Sequence, residues 1–273
     1  DRGAVMCHTC PEWVWADYSI LCAAGITVCI YPTLSENEMR YIINDSGARI
    51  LYLNDESNLS KVIGSWPQMP ELQKVIVMKE DYISSDERVL SLGDLRKMGV
   101  AYLAKDRMAF EQRWRSVSMT DYMTIVYTSG TTGTPKGAVH THLTFNSAIC
   151  RDLKDTPNFN QGDKVLSFLP LSHTYERECG HGCAMMAAAT IAYTTPKDMV
   201  QDFQLFKPQI FVSVPRLYER VYLAMKDMAS KNFISRAIFN AAMKTGLKIV
   251  ETKADQHGFI EMDEHTELSE GAR

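Results

Sequence analysis

Apolar positions recur along the first fifty residues with two different periods, and their order predicts a layered fold. Residues 4–6 read as a short buried strand, and Pro11 is placed to open a helix running towards Gly25. Trp13, Trp15, Tyr18 and Leu21 are the candidates for its packed side. Residues 27–30 read as the next strand. Ser35 and Glu38 then have the spacing of a capping box, with Leu34 ahead of it and Gly47 as the stop. Residues 49–53 form a third strand. This β-α-β-α-β rhythm predicts an α/β protein with doubly wound, mostly parallel sheets and flanking helices.

Between residues 54 and 120 the pattern weakens. Residues 75–78 still read as a buried strand, and 93–104 and 107–115 as two surface helices whose charges form a solvated face. We assign those two helices no chemistry. Further on, residues 138–140, 165–168, 190–194 and 210–212 read as strands. Helices are expected over 142–153 and 179–189, in a segment ending near Phe206, and from Pro215 to about 228. After Ser230, Phe233, Ile234, Ala237, Ile238, Ala241 and Ala242 recur at helical spacing opposite Lys231, Arg236, Lys244 and Lys248. Such a helix packs through its apolar side or rests on a membrane surface. The tail from 253 to 273 is polar and acidic and reads as loop or disorder. The expected division is a first α/β subdomain over 1–120, a second over 121–252, and that tail.

The densest chemistry falls on Tyr127-Thr128-Ser129-Gly130-Thr131-Thr132-Gly133-Thr134-Pro135-Lys136-Gly137, directly after an apolar run at 123–126. Glycines let backbone N–H groups turn towards a ligand, the five Thr and Ser hydroxyls add rotatable donors, and Lys136 supplies a point charge. An anion, most simply a phosphate chain, suits that mixture. The spacing is not that of a Walker loop, because counting from Gly130 puts Pro135 at the second glycine position and Gly137 where a hydroxyl belongs. Nor is it the G-x-G-x-x-G of a dinucleotide fold. The plain alternative is a Gly/Thr-rich surface turn.

Composition narrows the setting. The 273 residues are 45% hydrophobic and 23% charged, enough for a large core. A net charge of −4 gives no overall footprint for nucleic acid. Seven scattered cysteines, an odd number, argue for a reducing, cytoplasmic compartment. Cys7-His8-Thr9-Cys10 and Cys179-Gly180-His181-Gly182-Cys183 bring sulfur and imidazole together without paired zinc spacing, and buried small apolar residues explain them as well. The uncharged runs 18–35 and 179–196 approach membrane-spanning length, but Gly25, Pro32 and Gly182 interrupt them. The chain opens on Asp1-Arg2-Gly3 without methionine, so a missing N-terminal segment is expected.

Thr128 to Gly137 resembles the signature of adenylate-forming enzymes, the superfamily of acyl-CoA synthetases, luciferases and peptide-synthetase adenylation domains. Phe168-Leu169-Pro170-Leu171-Ser172-His173-Thr174-Tyr175-Glu176 is similar to the motif lining the carboxylate-substrate pocket of long-chain acyl-CoA synthetases, and Lys207 to Glu219 to their next block. Residues 13–48, with Tyr31-Pro32-Thr33-Leu34-Ser35 and Asn44-Asp45-Ser46-Gly47-Ala48, resemble their opening region. The segment around Phe239-Asn240 is like one in the bacterial long-chain group.

The resemblance implies a long-chain fatty acid–CoA ligase: ATP converts a fatty carboxylate to acyl-AMP, and coenzyme A then displaces AMP. It implies Thr128, Ser129, Gly130, Thr131, Thr132, Gly133, Thr134 and Lys136 as the ATP-binding set, with Thr128 as a Mg2+ contact and Lys136, Thr128 and His173 as catalytic residues. His173, Thr174, Tyr175 and Glu176 would line the substrate pocket; a buried core histidine is the alternative for His173. The family's Tyr-Gly-x-Thr-Glu segment, ribose aspartate and C-terminal lid with its lysine are not found, so the chain is expected to be an incomplete N-terminal adenylating domain, inactive alone. An aryl or medium-chain acid–CoA ligase, or a catalytically dead nucleotide-binding module, are the alternatives. Homodimerisation and peripheral contact with the inner membrane face are further expectations.

Overall fold

Residues Arg2–Met6 form β1, and the larger sheet is laid out on both sides of it. Its other strands are β2 (Ile26–Cys29), β3 (Ile50–Leu53), β4 (Lys74–Val77), β5 (Val89–Ser91), β6 (Tyr122–Thr128) and β7 (Lys136–Thr141). The order across the sheet is β5-β4-β3-β1-β2-β6-β7. Strands β1 to β6 are parallel, and β7 alone returns antiparallel to β6. A smaller parallel pair joins β8 (Lys164–Ser167) to β9 (Thr190–Tyr193). The computed structural model describes residues 1–128, 134–155 and 159–253. Residues 254–273, the expected polar tail, lie outside them.

Helices cover both faces, as the alternation of the strands requires. Ala4 and Met6 of β1 point into one core with Met39, Ile42 and Ile43 of α2 (Glu36–Ser46) and Leu59 and Val62 of α3 (Glu56–Ser65). Val5 and Cys7 point into the other, with Trp13, Ala16 and Ile20 of α1 (Pro11–Cys22) and Leu92 of α4 (Leu92–Lys105). Burial on both faces is what near-continuous apolar strands signal. The chain therefore has the doubly wound α/β architecture that the sequence predicts.

Local signals hold where they were strongest. Ser35 and Glu38 cap α2 reciprocally, and Gly47 closes it at φ 63°, where an added Cβ would also come within 2.9 Å of the Arg2 guanidinium. Pro11 is the first residue of α1. The packed side of α1 differs from the expectation. Trp13, Ala16, Asp17, Ile20 and Leu21 are buried, while Trp15 and Tyr18 are exposed. Helical period, not side-chain bulk, chooses the face, and here it carries an acid inward. Helix α3 and strand β5 were not anticipated, because Asn58 and Ser65 occupy inward positions of α3 and dilute its apolar pattern.

The segment after β8 also departs from a plain helix. Residues Glu176–Gly182 form a wide helical turn of the i→i+5 kind that precedes α7 (Cys183–Met186). Only Ile210, bridged to Val165, pairs within the expected strand 210–212. The chain divides into compact units at Val212 and Ser213, not near residue 120, because β6 hydrogen-bonds in register to β2 and so extends the first sheet. Within Asp1–Val212 lie also α5 (Ala109–Arg115), α6 (His142–Asp155) and α8 (Met199–Phe206). The second unit holds α9 (Pro215–Ser230) and α10 (Phe233–Lys253), with the Tyr222 and Phe239 rings 6.0 Å apart. Phe233, Ile234 and Ile238, expected on a packed side, are exposed.

Leu51 is fully buried at the centre of the larger sheet, so Leu51→Ala should lower unfolding stability by about 2–5 kcal/mol in urea titration. The half-exposed Ile63→Ala should change it by no more than about 0.5 kcal/mol.

Candidate functional site

The carboxyl ends of β1, β2 and β6 open towards one side of the larger sheet, where doubly wound folds place ligands. Strand β6 ends on Thr128, which faces Lys136 across the β6–β7 ladder, so both ends of the hydroxyl-rich loop are pinned together. Thr128, Thr134 and Lys136 are exposed. Ser129, Gly130, Thr131, Thr132 and Gly133 lie outside the described residues. Gly137 has a packing reason of its own: a Cβ there would stand 2.8 Å from Ile125 and 3.1 Å from the Tyr127 ring. The Tyr127 hydroxyl donates to Asp45 Oδ2 at 2.6 Å, tying the loop's root to α2. Burial and that carboxylate both push the phenol up.

A second segment meets this edge from β8. The Thr9 hydroxyl donates to the Leu169 carbonyl at 2.7 Å and accepts from the Leu171 N–H at 3.1 Å. The Ser172 hydroxyl donates to the Ile30 carbonyl at 3.3 Å. These bonds hold the turn carrying His173 against the ends of β1 and β2. His173 is exposed, so it is not the buried core histidine of the alternative reading. Its Nδ1 accepts from the Tyr175 N–H at 3.1 Å, which leaves Nε2 to carry the proton of the neutral ring.

Between these parts lies a cleft of about 420 Å³ whose walls include Thr128 and Pro135 on one side and His173 and Thr174 on the other, with Tyr31, Leu34 and Glu38. A neighbouring cleft of about 300 Å³ shares Tyr31 and runs between His8 and Thr9, Phe168 to Pro170, and Thr194 to Pro196. A further hollow of about 360 Å³ sits by Arg2, Gly25 and Arg49 and contains none of the expected site residues.

The structure thus brings Thr128, His173 and Thr174 to one cavity. Tyr175 and Glu176 are not on its walls. Glu176 is buried beneath the turn, where its Oε1 accepts from the Ser167 hydroxyl at 2.5 Å and its carboxyl lies 2.9 Å from where a Cβ on Gly180 would be. Gly180 is required there for that close approach. Burial pushes the Glu176 carboxyl up to about 7, against the pull of the Ser167 hydrogen bond. Nearby, burial takes His181 down to about 4 while its Nε2 bonds the Tyr193 hydroxyl at 2.9 Å.

Sequence reasoning passed over Asp17 and Arg177. Arg177 donates through Nε and Nη2 to both Asp17 carboxylate oxygens, at 3.1 and 2.6 Å, and through Nη1 to the Thr124 hydroxyl at 2.7 Å. Both side chains are about 95% buried. Burial is the largest influence and alone would lower the guanidinium pKa, but the Asp17 carboxylate, Cys29 and Tyr18 together turn the net direction up. Thr27 also donates to Asp17, at 2.7 Å, and the Trp13 and Phe145 rings lie 5.3 and 5.2 Å from the guanidinium. An acid in the middle of α1 and a base beside an uncharged run were the available signal.

All seven cysteines are free thiols. Burial raises Cys7 well above its ordinary value and pushes Cys10 up to about 11, so both hold their protons at neutral pH. Among the described residues no group of three or more His, Cys, Asp or Glu is placed to hold a metal ion.

A sequence model of the AMP-binding enzyme family matches residues 1–255. A long-chain-fatty-acid–CoA ligase of Mycobacterium bovis is 29% identical over 253 residues, covering 90% of this chain and 40% of that protein. A peroxisomal acyl-CoA ligase of Penicillium roqueforti is 33% identical over 227 residues, 79% of this chain and 32% of its own. Among solved structures, an anthranilate CoA ligase in complex with anthranoyl-AMP superposes with a TM-score of 0.65 at 22% identity, over 86% of this chain and 44% of that one, and shows the shared fold. The chain spans about 40% of the length of the first of these relatives.

Arg177→Met should destabilise the protein by about 3–5 kcal/mol, since it leaves Asp17 charged and unpaired in the interior, and Asp17→Leu added to it should recover much of the loss; a double-mutant cycle in urea measures both. For Glu176, the folded pKa of about 7 lies above the ordinary 4.5. Its contribution is therefore fully present below about 4.5 and is lost as pH rises through about 7. Relative to the native chain, Glu176→Gln should gain stability over that window, by on the order of 3 kcal/mol, in unfolding titrations at a series of pH values.

Proposed function

Because the chain belongs to the AMP-binding enzyme family, we propose that it serves the ATP-dependent activation of a long-chain fatty acid, first to acyl-AMP and then to acyl-CoA. The observation that carries this reading is the shared cleft: the end of the hydroxyl-rich loop, at Thr128 and Pro135, faces His173 and Thr174 across one cavity of about 420 Å³. A nucleotide's phosphates and an acyl carboxylate must meet in one such space for a phosphate–carboxylate bond to form.

In this reading the carboxylate attacks the α-phosphate, the bond to the β-phosphate breaks, and pyrophosphate leaves carrying the charge. Thr128, Thr134 and Lys136, with Ser129, Gly130, Thr131, Thr132 and Gly133, hold the β- and γ-phosphates. The lysine charge and the fixed donors stabilise the leaving group. His173 presents its Nε2 proton to an oxygen of the acyl carboxylate or the α-phosphate, in a ring oriented by the Tyr175 N–H. Thr174 supports the same wall, and Tyr175 and Glu176 act behind it by holding the turn. In the second step the coenzyme A thiol displaces AMP.

Among the described residues of the cleft, the Thr128 hydroxyl is the protein contact we assign to magnesium, and the phosphates and water would share its coordination. It would neutralise phosphate charge there. The names of the two curated relatives support the acyl substrate. A cytoplasmic setting, a homodimer and peripheral contact with the inner membrane face complete the reading.

The test is palmitate-dependent exchange of labelled pyrophosphate into ATP by the intact protein, with benzoate and octanoate as competing acids. Lys136→Ala should lower exchange by about a hundredfold or more. Exchange with benzoate or octanoate in preference to palmitate would move the substrate class, and none with any carboxylate would sink the activity.

A further inference from the structure

Helices α4 and α5 carry nothing that the cleft uses, yet much of their surface is exposed. From Met98 to Phe110 every side chain except Ala109 is exposed, including Val100 at 71%, Tyr102 at 59% and Phe110 at 53%. Val100, Leu103 and Ala104 on α4 and Phe110 and Trp114 on α5 line an open trough of about 830 Å³ between the two helices. Ordinary solvated helices do not present contiguous aromatic and aliphatic side chains of this kind.

The charges around the trough have the opposite sign to the whole chain. Between Leu92 and Arg115 there are six Lys or Arg against three Asp or Glu, a local +3 on a protein of net −4. Arg96, Lys97 and Arg115 pair with Glu80, Asp94 and Glu111. Lys105, Arg107 and Arg113 have no ion-pair partner among the described residues, and Arg107 stands on the trough itself.

We propose that the α4–α5 hairpin is a docking surface for an anionic phospholipid bilayer. The aromatic and aliphatic side chains of the trough enter the headgroup region, and Lys105, Arg107 and Arg113 extend to the lipid phosphates. Trp and Tyr have one apolar and one polar end, which suits that boundary. A second copy of this chain fits less well, because a two-fold contact would set +3 against +3. The inference rests on the peripheral-membrane part of the preceding reading, not on ligase chemistry, and moves the contact from the basic face of α10 to α4 and α5.

Co-sedimentation of the full chain with vesicles of phosphatidylglycerol and phosphatidylcholine, of phosphatidylcholine alone, and binding to soluble polyglutamate in parallel, tests it. The chain should bind the anionic vesicles, weaken in high salt, and show a blue-shifted tryptophan emission that Trp114→Phe removes. Charge reversal at Lys105, Arg107 and Arg113 together should weaken binding by roughly a hundredfold or more. Phe110→Ser should weaken it with all charges kept, and unfolding curves like the parent's would show that these exposed changes leave the fold intact. Lys244→Glu with Lys248→Glu on α10 should leave binding unchanged. If the α10 changes abolish binding and the hairpin changes do not, the membrane contact stands and this surface is wrong. No binding by the parent overturns both. Equal capture by polyglutamate without an emission shift, or a dimer lost on the hairpin changes, overturns the bilayer as partner in favour of an acidic protein or a second copy.

Discussion

The ion pair between Asp17 and Arg177 is the contact on which the arrangement of the larger unit depends. It joins α1 to the wide turn after β8, across 160 residues, and Thr27 of β2 and Thr124 of β6 complete its hydrogen bonds. Two charges in an interior of low dielectric are tolerated only when geometry and secondary partners offset the lost hydration. Here both carboxylate oxygens are engaged by the guanidinium, and a third donor and two aromatic faces occupy what remains. Because the same guanidinium reaches the strand that carries Thr128, the strand leading into the hydroxyl-rich loop and the His173 turn are positioned by one group.

That arrangement explains why the candidate site is a composite. Thr9, Ile30 and Asp45, from the first fifty residues, hold segments that begin more than seventy residues later. The loop's last glycine lies against Ile125 and Tyr127, so part of what looks like a phosphate signature has a packing reason. Glu176 is a similar case. It ends a motif associated with a pocket, yet its environment is a dry space closed by Gly180 and Ser167, where a carboxyl prefers to keep its proton. His173 and Thr174, three and two positions earlier, are the members of that motif that reach the cleft.

Two kinds of apolar surface are distinguished by their surroundings. Those facing the larger sheet are closed by helices on both sides and set its stability. The trough of α4 and α5 is open, with Arg107 on its wall and Glu111 paired to Arg115, and the same side chains that would be core elsewhere are the contact we propose there. Hydrophobic residues thus divide by the sign and pairing of their neighbours, a property of the folded surface that no single helix displays.

Local rules sufficed for much of this chain. Capping at Ser35 and Glu38, the left-handed stop at Gly47, the proline opening α1 and the β-α alternation each depend on residues within a few positions of one another, so the doubly wound class followed from order alone. The composition of the hydroxyl-rich loop is local in the same sense, and it is the ground for the phosphate site proposed above. Only the tertiary structure decided which side of α1 turned inward, that Asp17 and Arg177 were partners, that β6 belonged to the first sheet, and that Glu176 was sealed away while His173 was not. Those outcomes are set by contacts between segments distant in sequence, and neither periodicity nor motif spacing contains information about which distant groups will meet.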